Sequence, residues 1–212
     1  MLDDMDRSSS EKIVSGLLKV CLAVRSQSWQ NAEVTGMSPT QGQIVALLFS
    51  NNGVPMRLSE IANALAITSA TASDAVSSLV EKNLLQKNRA PNDARAVAIS
   101  LTELGIRQAN NMSGWKDFLS VALKELSIDE GRIFLRGLIK IIKSLQDQHK
   151  IPISRMCVTC RFFLPNVHSN EDNPHHCAFV DAPFGDSNLR LDCPDQLQAK
   201  SATIAKNWQE FC

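Results

Sequence analysis

The chain has 212 residues, 44% hydrophobic and 21% charged, with 22 basic against 22 acidic side chains. That is enough chain for one large domain or two small ones, and its neutrality argues against a strongly basic, non-specific nucleic-acid binder. The opening MLDDMDRSSSEK is acidic and polar, unlike a secretory leader, and no apolar run nears the ~18 residues of a membrane span, so a cytoplasmic protein with reduced thiols is expected.

Residues 1–10 read as a disordered leader. Ile13, Leu17, Leu18, Cys21, Leu22 and Val24 then recur near the helical period, which predicts an amphipathic helix from about Glu11 to Trp29. Gly36, Ser38 and Pro39 break the pattern. Ser38 as N-cap, with Pro39 in the first turn, opens a second helix through Ile44, Leu47 and Leu48, and Asn51-Asn52-Gly53 ends it. In RLSEIANALAI, Ser59 reads as the cap, with Ile61, Leu65 and Ile67 inward. TSATASDAVSSLVEKNLL begins the next helix, capped by a hydroxyl, with Ala72, Val76, Leu79 and Val80 inward. Asn83 suits the left-handed residue that ends it. Two short helices joined by a tight turn over 58–85, the second with small polar residues outward, make a helix-turn-helix.

Val97, Ile99 and Leu101 share one face of AVAISL at period two, which predicts a strand. Leu85–Arg89 is its expected partner, and Ala90-Pro91-Asn92-Asp93 the turn. A hairpin over 86–101, directly after a helix-turn-helix, is a wing. Thr102 caps a long helical stretch from Glu103 to about His149, interrupted near Leu126-Ser127-Ile128. Its second half, GRIFLRGLIKIIKSLQ, is apolar on more than one side and wants a partner surface such as another subunit. Helix stops at Ile151-Pro152. The final DQLQAKSATIAKNWQEF places Leu197, Ile204, Trp208 and Phe211 on one stripe, predicting a helix that closes over the tail.

LSEIANALAITSATASDAVSSLVEKNLL (58–85) and RAPNDARAVAISLTELG (89–105) resemble the MarR family of winged-helix transcriptional regulators, the second through an acidic-Arg pair, a strand and Leu-Thr-x-x-Gly. With the flanking helices the resemblance covers roughly residues 10–150. It implies a homodimer built from the first and last long helices, with one recognition helix per major-groove half-site of a palindromic operator. Ser69, Thr71, Ser73, Ser77 and Ser78 on that helix, with Lys87, Arg89 and Arg95 on the wing, are then the expected contacts to double-stranded DNA. The chain departs from the family pattern at Asp74, Ser78 and Ala94, where arginines are usual. One branch, the organic-peroxide sensors, carries a reactive first-helix cysteine held by tyrosines. This sequence has no tyrosine, so Cys21, between Val20 and Leu22, is expected to be a buried and inert thiol.

Cysteine is concentrated in the tail. Cys157 and Cys160 form a C-x2-C pair, with Cys177 and Cys193 following, the last before a proline, and Cys212 at the end is expected to be unconstrained. In a reducing compartment such a set reads as metal-binding. Zinc would accept the four thiolates, or three with His175 or His176 as alternates. A single C-x2-C among Phe162, Phe163, Phe179 and Phe184, with a Cys-Pro, tips the reading toward a [4Fe-4S] cluster. The polar stretch from Arg161 to Asn173 buries little by itself, so ~10–16 kcal/mol of metal-binding energy is expected to order it, and the metal-free tail to be largely disordered.

These readings predict a mainly α chain with a small β-wing, a MarR-like dimer over 11–150, and a small metal-bound C-terminal module over 151–212. The expected function is a sequence-specific transcriptional regulator, metal- or redox-responsive through the four-cysteine site. The competing class is a metal or iron–sulfur protein of electron transfer or protein interaction, with the winged helix only as dimer scaffold. No Gly-rich phosphate loop, Ser-His-Asp arrangement or metalloprotease helix occurs, so no enzyme is expected. Neither a membrane partner nor a particular small-molecule effector is legible.

Overall fold

A computed structural model describes residues 8–51, 53–90, 93–111 and 114–212, with backbone alone at 31, 33, 89–90, 93–96, 111 and 114–117. The chain divides into two compact units, Met1–Val121 and Ala122–Cys212.

In the first unit, helix α1 (Ser9–Thr35) starts inside the stretch read as a leader and runs past Trp29. A capping box explains the early start: the Glu11 carboxylate accepts from the Ser8 N–H (2.8 Å), and the Ser8 hydroxyl accepts from the Glu11 N–H (3.3 Å). Gly36, at φ 65°, stops the helix. Residues 1–7 of the expected leader lie outside the described residues. Helix α2 (Pro39–Ser50) has the expected Ser38 cap, reinforced by Gln41. In helix α3 (Leu58–Ala64) the cap position is two residues earlier than Ser59. The chain enters at Arg57, whose N–H donates to the Glu60 carboxylate (2.7 Å), and Ser59 sits exposed within the first turn. Helix α4 (Ser69–Glu81) is capped by the Thr68 hydroxyl, and Asn83 is left-handed at φ 56°.

Strands β1 (Leu85–Ala90) and β2 (Asp93–Leu101) form the antiparallel wing. Pro91 and Asn92 of the expected turn lie outside the described residues. Met56 adds a short third rung, exchanging backbone hydrogen bonds with Ile99 at 2.9 and 2.8 Å. Ile44, Val45, Leu48, Ile61, Val76, Leu79, Leu85 and Ile99 are the buried centre. Val97 is exposed although it shares a face with Ile99, because the hairpin there runs beyond the core. Thr102 caps helix α5 (Glu103–Asn111): its hydroxyl accepts from the Gly105 N–H (3.0 Å) and donates to the Asn83 carbonyl (2.7 Å). Helix α6 (Gly114–Leu123) follows, and Met112 and Ser113 of the expected helical stretch lie outside the described residues.

In the second unit, helix α7 (Ile128–Asp147) starts at the interruption expected near Leu126-Ser127-Ile128, with Ser127 as its cap. The tail then makes a 3-10 turn at Cys157–Thr159 and a three-stranded antiparallel sheet in the order β3 (Phe163–Leu164), β4 (His175–Cys177), β5 (Ala182–Phe184). A second 3-10 turn, Asp186–Asn188, and helix α8 (Ser201–Phe211) complete it. Ile139 of α7 packs with Met156, Val158, Phe163, Leu189 and Phe211, and Leu135 and Ile142 join at the edge. The structural division therefore falls before α7 rather than at residue 150, because the apolar face of that helix closes on tail residues. The tail thus has an apolar cluster of its own. Trp208 and Phe211 bring α8 over the cysteine turn as expected, whereas Leu197 precedes the helix and is exposed. Among the described residues no helix is long and apolar enough to cross a membrane.

Candidate DNA interface and cysteine cavity

Helix α4 buries Ala72, Ala75, Val76 and Leu79, which turns its remaining faces outward. Ser69 and Thr71 are exposed at its first turn, where the Thr71 hydroxyl also meets that of Thr68 (2.8 Å). Ser73 and Ser77 are partly exposed. Ser78 is differently placed: its hydroxyl accepts from the Gln41 side-chain amide (3.0 Å), whose oxygen in turn accepts from Lys82 (3.0 Å). That serine joins α4 to α2, so its hydroxyl is already engaged within the protein. Lys87 is exposed on β1. Arg89 and Arg95 stand on β1 and β2, and their side chains lie outside the described residues. Among α4 residues none is basic, as the sequence shows.

The four tail cysteines line one cavity of about 190 Å³, together with Phe162, Phe163, Phe179, Val180, Ala182 and Phe184. They arrive on three pieces of local structure. Cys157 opens the 3-10 turn, and Cys160 closes it with its N–H on the Cys157 carbonyl (2.8 Å). Cys177 ends β4, and Cys193 is tied to the Arg155 carbonyl through its N–H (2.9 Å). All four are free thiols. Burial pushes the Cys157 thiol above its ordinary range; the Arg190 N–H opposes this, and the neighbouring sulfurs of Cys193, Cys160 and Cys177 add to it. That environment disfavours a bare Cys157 thiolate and favours it only beside positive charge.

The size of the cavity distinguishes what fits. Among the described residues no group of three or more His, Cys, Asp or Glu side chains is placed to hold a metal ion. Zinc would need every sulfur about 2.3 Å from one point. The cavity is instead more than ten times the roughly 10–15 Å³ that one water-sized sphere needs. The four thiols thus share one apolar space.

The alternates His175 and His176 are occupied elsewhere, and neither lines the cavity. His175 is fully buried, with Nε2 2.8 Å from Asp186 Oδ1 and Nδ1 accepting from the Asn166 N–H (3.1 Å). Asp186 also pairs with Arg136 of α7 (3.1 Å), and Arg136 stacks over Phe211. His176 sits between His168 and Asp181, each at 3.2 Å. Gly185 lets this loop close, since a Cβ there would lie 2.1 Å from the Asp172 carbonyl oxygen. Cys21 is exposed rather than buried, because α1 turns Val20, Cys21 and Leu22 all outward. Cys212 is exposed, but its carbonyl accepts from Lys140 (3.3 Å). Sequence reading missed Arg190, which touches two of the cysteines, and the Arg136–Asp186–His175 chain; contacts between residues so far apart leave no local periodic signal.

Residues 37–97 match the family model described as MarR family. The first unit has the MarR-type winged-helix fold. Solved structures similar to this chain include S. aureus MepR in its DNA-binding conformation, 25% identical over 62% of this chain and 98% of that one, with a TM-score of 0.55. The S. aureus MepR–DNA complex is 22% identical over 66% of this chain and 100% of that one, with a TM-score of 0.54. A Listeria monocytogenes regulator of the MarR family complexed with 26mer DNA is 20% identical over 64% and 89%, with a TM-score of 0.56. No curated protein matches the sequence.

Proposed function

We propose that this protein is a homodimeric, sequence-specific transcriptional regulator that reads double-stranded DNA through α4 and the wing, and that its tail cysteines carry a [4Fe-4S] cluster making it metal- or redox-responsive. The observation that carries the DNA reading is the match of residues 37–97, which span α2, α3, α4 and most of the wing, to a family with similar structures solved on DNA. Ser69, Thr71, Ser73, Ser77, Lys87, Arg89 and Arg95 would meet phosphates and base edges of a palindromic operator. Cys157, Cys160, Cys177 and Cys193 would hold the cluster, and the phenylalanine-lined wall would limit its contact with water. When bound, such a group supplies one-electron chemistry and sensitivity to oxidants.

Capture of genomic fragments at low salt tests the first half, and enrichment of one palindromic sequence is expected. Anaerobic purification with iron and sulfide analysis tests the second, and four of each per chain is expected. Comparing operator affinity of loaded and stripped protein tests responsiveness; equal affinity would leave the cluster structural. One observation favours the second reading, an electron-transfer or protein-interaction role on a winged-helix scaffold: α4 has no basic side chain. Absence of any mobility shift on duplex DNA would select it.

A further inference from the structure

One residue makes hydrogen bonds to two of the four cysteine sulfurs, by two different groups. The Arg190 backbone N–H donates to Cys157 Sγ at 3.3 Å, and its guanidinium Nη1 lies 3.8 Å from Cys193 Sγ. The Arg190 carbonyl meanwhile accepts from the Cys157 N–H (3.1 Å), so loop and cysteine turn are laced in both directions. Leu189 and Leu191, packed into the core on either side, fix the loop that aims these groups. Among the other cations nearby, Arg155 pairs with Asp192 (2.8 Å), Arg136 pairs with Asp186 (3.1 Å), and Arg161 lies over the Phe162 ring (5.0 Å). Among the described residues Arg190 forms no ion pair, and the sulfur of Cys193 is what its guanidinium meets.

We propose that Arg190 is the positioning residue of the cysteine site, holding Cys157 and Cys193 in place and setting the reduction potential of the group they bind. This rests on the cluster reading given above. Four thiolates make a cubane cluster an anion, and each electron it accepts adds negative charge. A fixed cation and N–H bonds to its sulfurs stabilise the reduced form more than the oxidised one, and so raise the potential.

The test is a mediated reductive titration of the anaerobic full-length protein with dithionite, one electron entering per cluster, followed by electron paramagnetic resonance. Arg190→Gln keeps the backbone bond but removes the charge, and its potential is expected to move negative. Arg190→Lys, which keeps charge without the fork, is expected to fall between Arg190→Gln and the unsubstituted protein. Lys206→Gln, a charge change on α8 paired only with Glu210, is expected to leave the potential in place. If Arg190→Gln retains no iron, Arg190→Lys alone decides. A wild-type potential in both Arg190 variants overturns the inference, as does an equal shift in Lys206→Gln. A colourless unsubstituted protein without iron and sulfide would instead overturn the cluster reading beneath it.

Discussion

Gly105 shows what a single hydrogen in place of a side chain can decide. A Cβ there would stand 2.1 Å from the Leu84 carbonyl oxygen, the same oxygen that accepts from the Thr102 N–H. The Leu-Thr-x-x-Gly pattern is therefore a steric requirement of the wing folding back on α5. Gly105→Ala should lower the stability of the winged helix by about 1–3 kcal/mol, the usual cost of overpacking, measured by urea unfolding. At the DNA face, Lys87→Ala is expected to weaken operator binding and flatten its salt dependence by ~0.9 log units. Ser78→Ala should leave that affinity unchanged, since its hydroxyl is held by Gln41. In the tail, His176→Ala should leave metal content as it was, whereas Cys177→Ser should reduce it. The cysteines were legible because their residue type and spacing carry the chemistry. Arg190 was not, because its role depends on where a backbone N–H points after the tail has folded.

Among the elements, the helix caps were the most legible feature. Ser38, Thr68 and Thr102 cap as their hydroxyls predict, and Ser127 caps α7 at the expected interruption. Ser59 misled because a serine inside the first turn of a helix looks like a cap when the preceding residue is apolar. The true boundary at Arg57 is marked by Glu60 three residues on. The α7 cap also gives a pH effect. The Glu130 carboxylate accepts from the Ser127 backbone N–H and hydroxyl, which holds it below the ordinary glutamate value. A carboxyl depressed by folding contributes stability above its unfolded pKa, and this is lost as pH falls through the folded one. The first turn of α7 should therefore fray at acid pH, with faster amide exchange near Glu130, and Glu130→Gln should remove that dependence. Less legible was the Met56 rung, since it depends on the surface each element finally meets.

At the scale of the whole molecule, apolar surface decides assembly. Ile13, Val14, Leu18 and Leu22 of α1, and Ile133, Phe134 and Ile141 of α7, are all exposed in the single chain. Faces of this kind are covered in a stable protein by another subunit. Sedimentation should give about twice the 23.3 kDa chain mass, and Phe134→Glu should shift it toward the monomer. Residues 151–212 look from the sequence like an appendage, but α7 buries Ile139, and packs Leu135 and Ile142, against them. A chain cut after Lys150 would thus not be a tidy minimal regulator. It would reach the cell with a raw greasy flank on its last helix, and we expect it to collect in inclusion bodies.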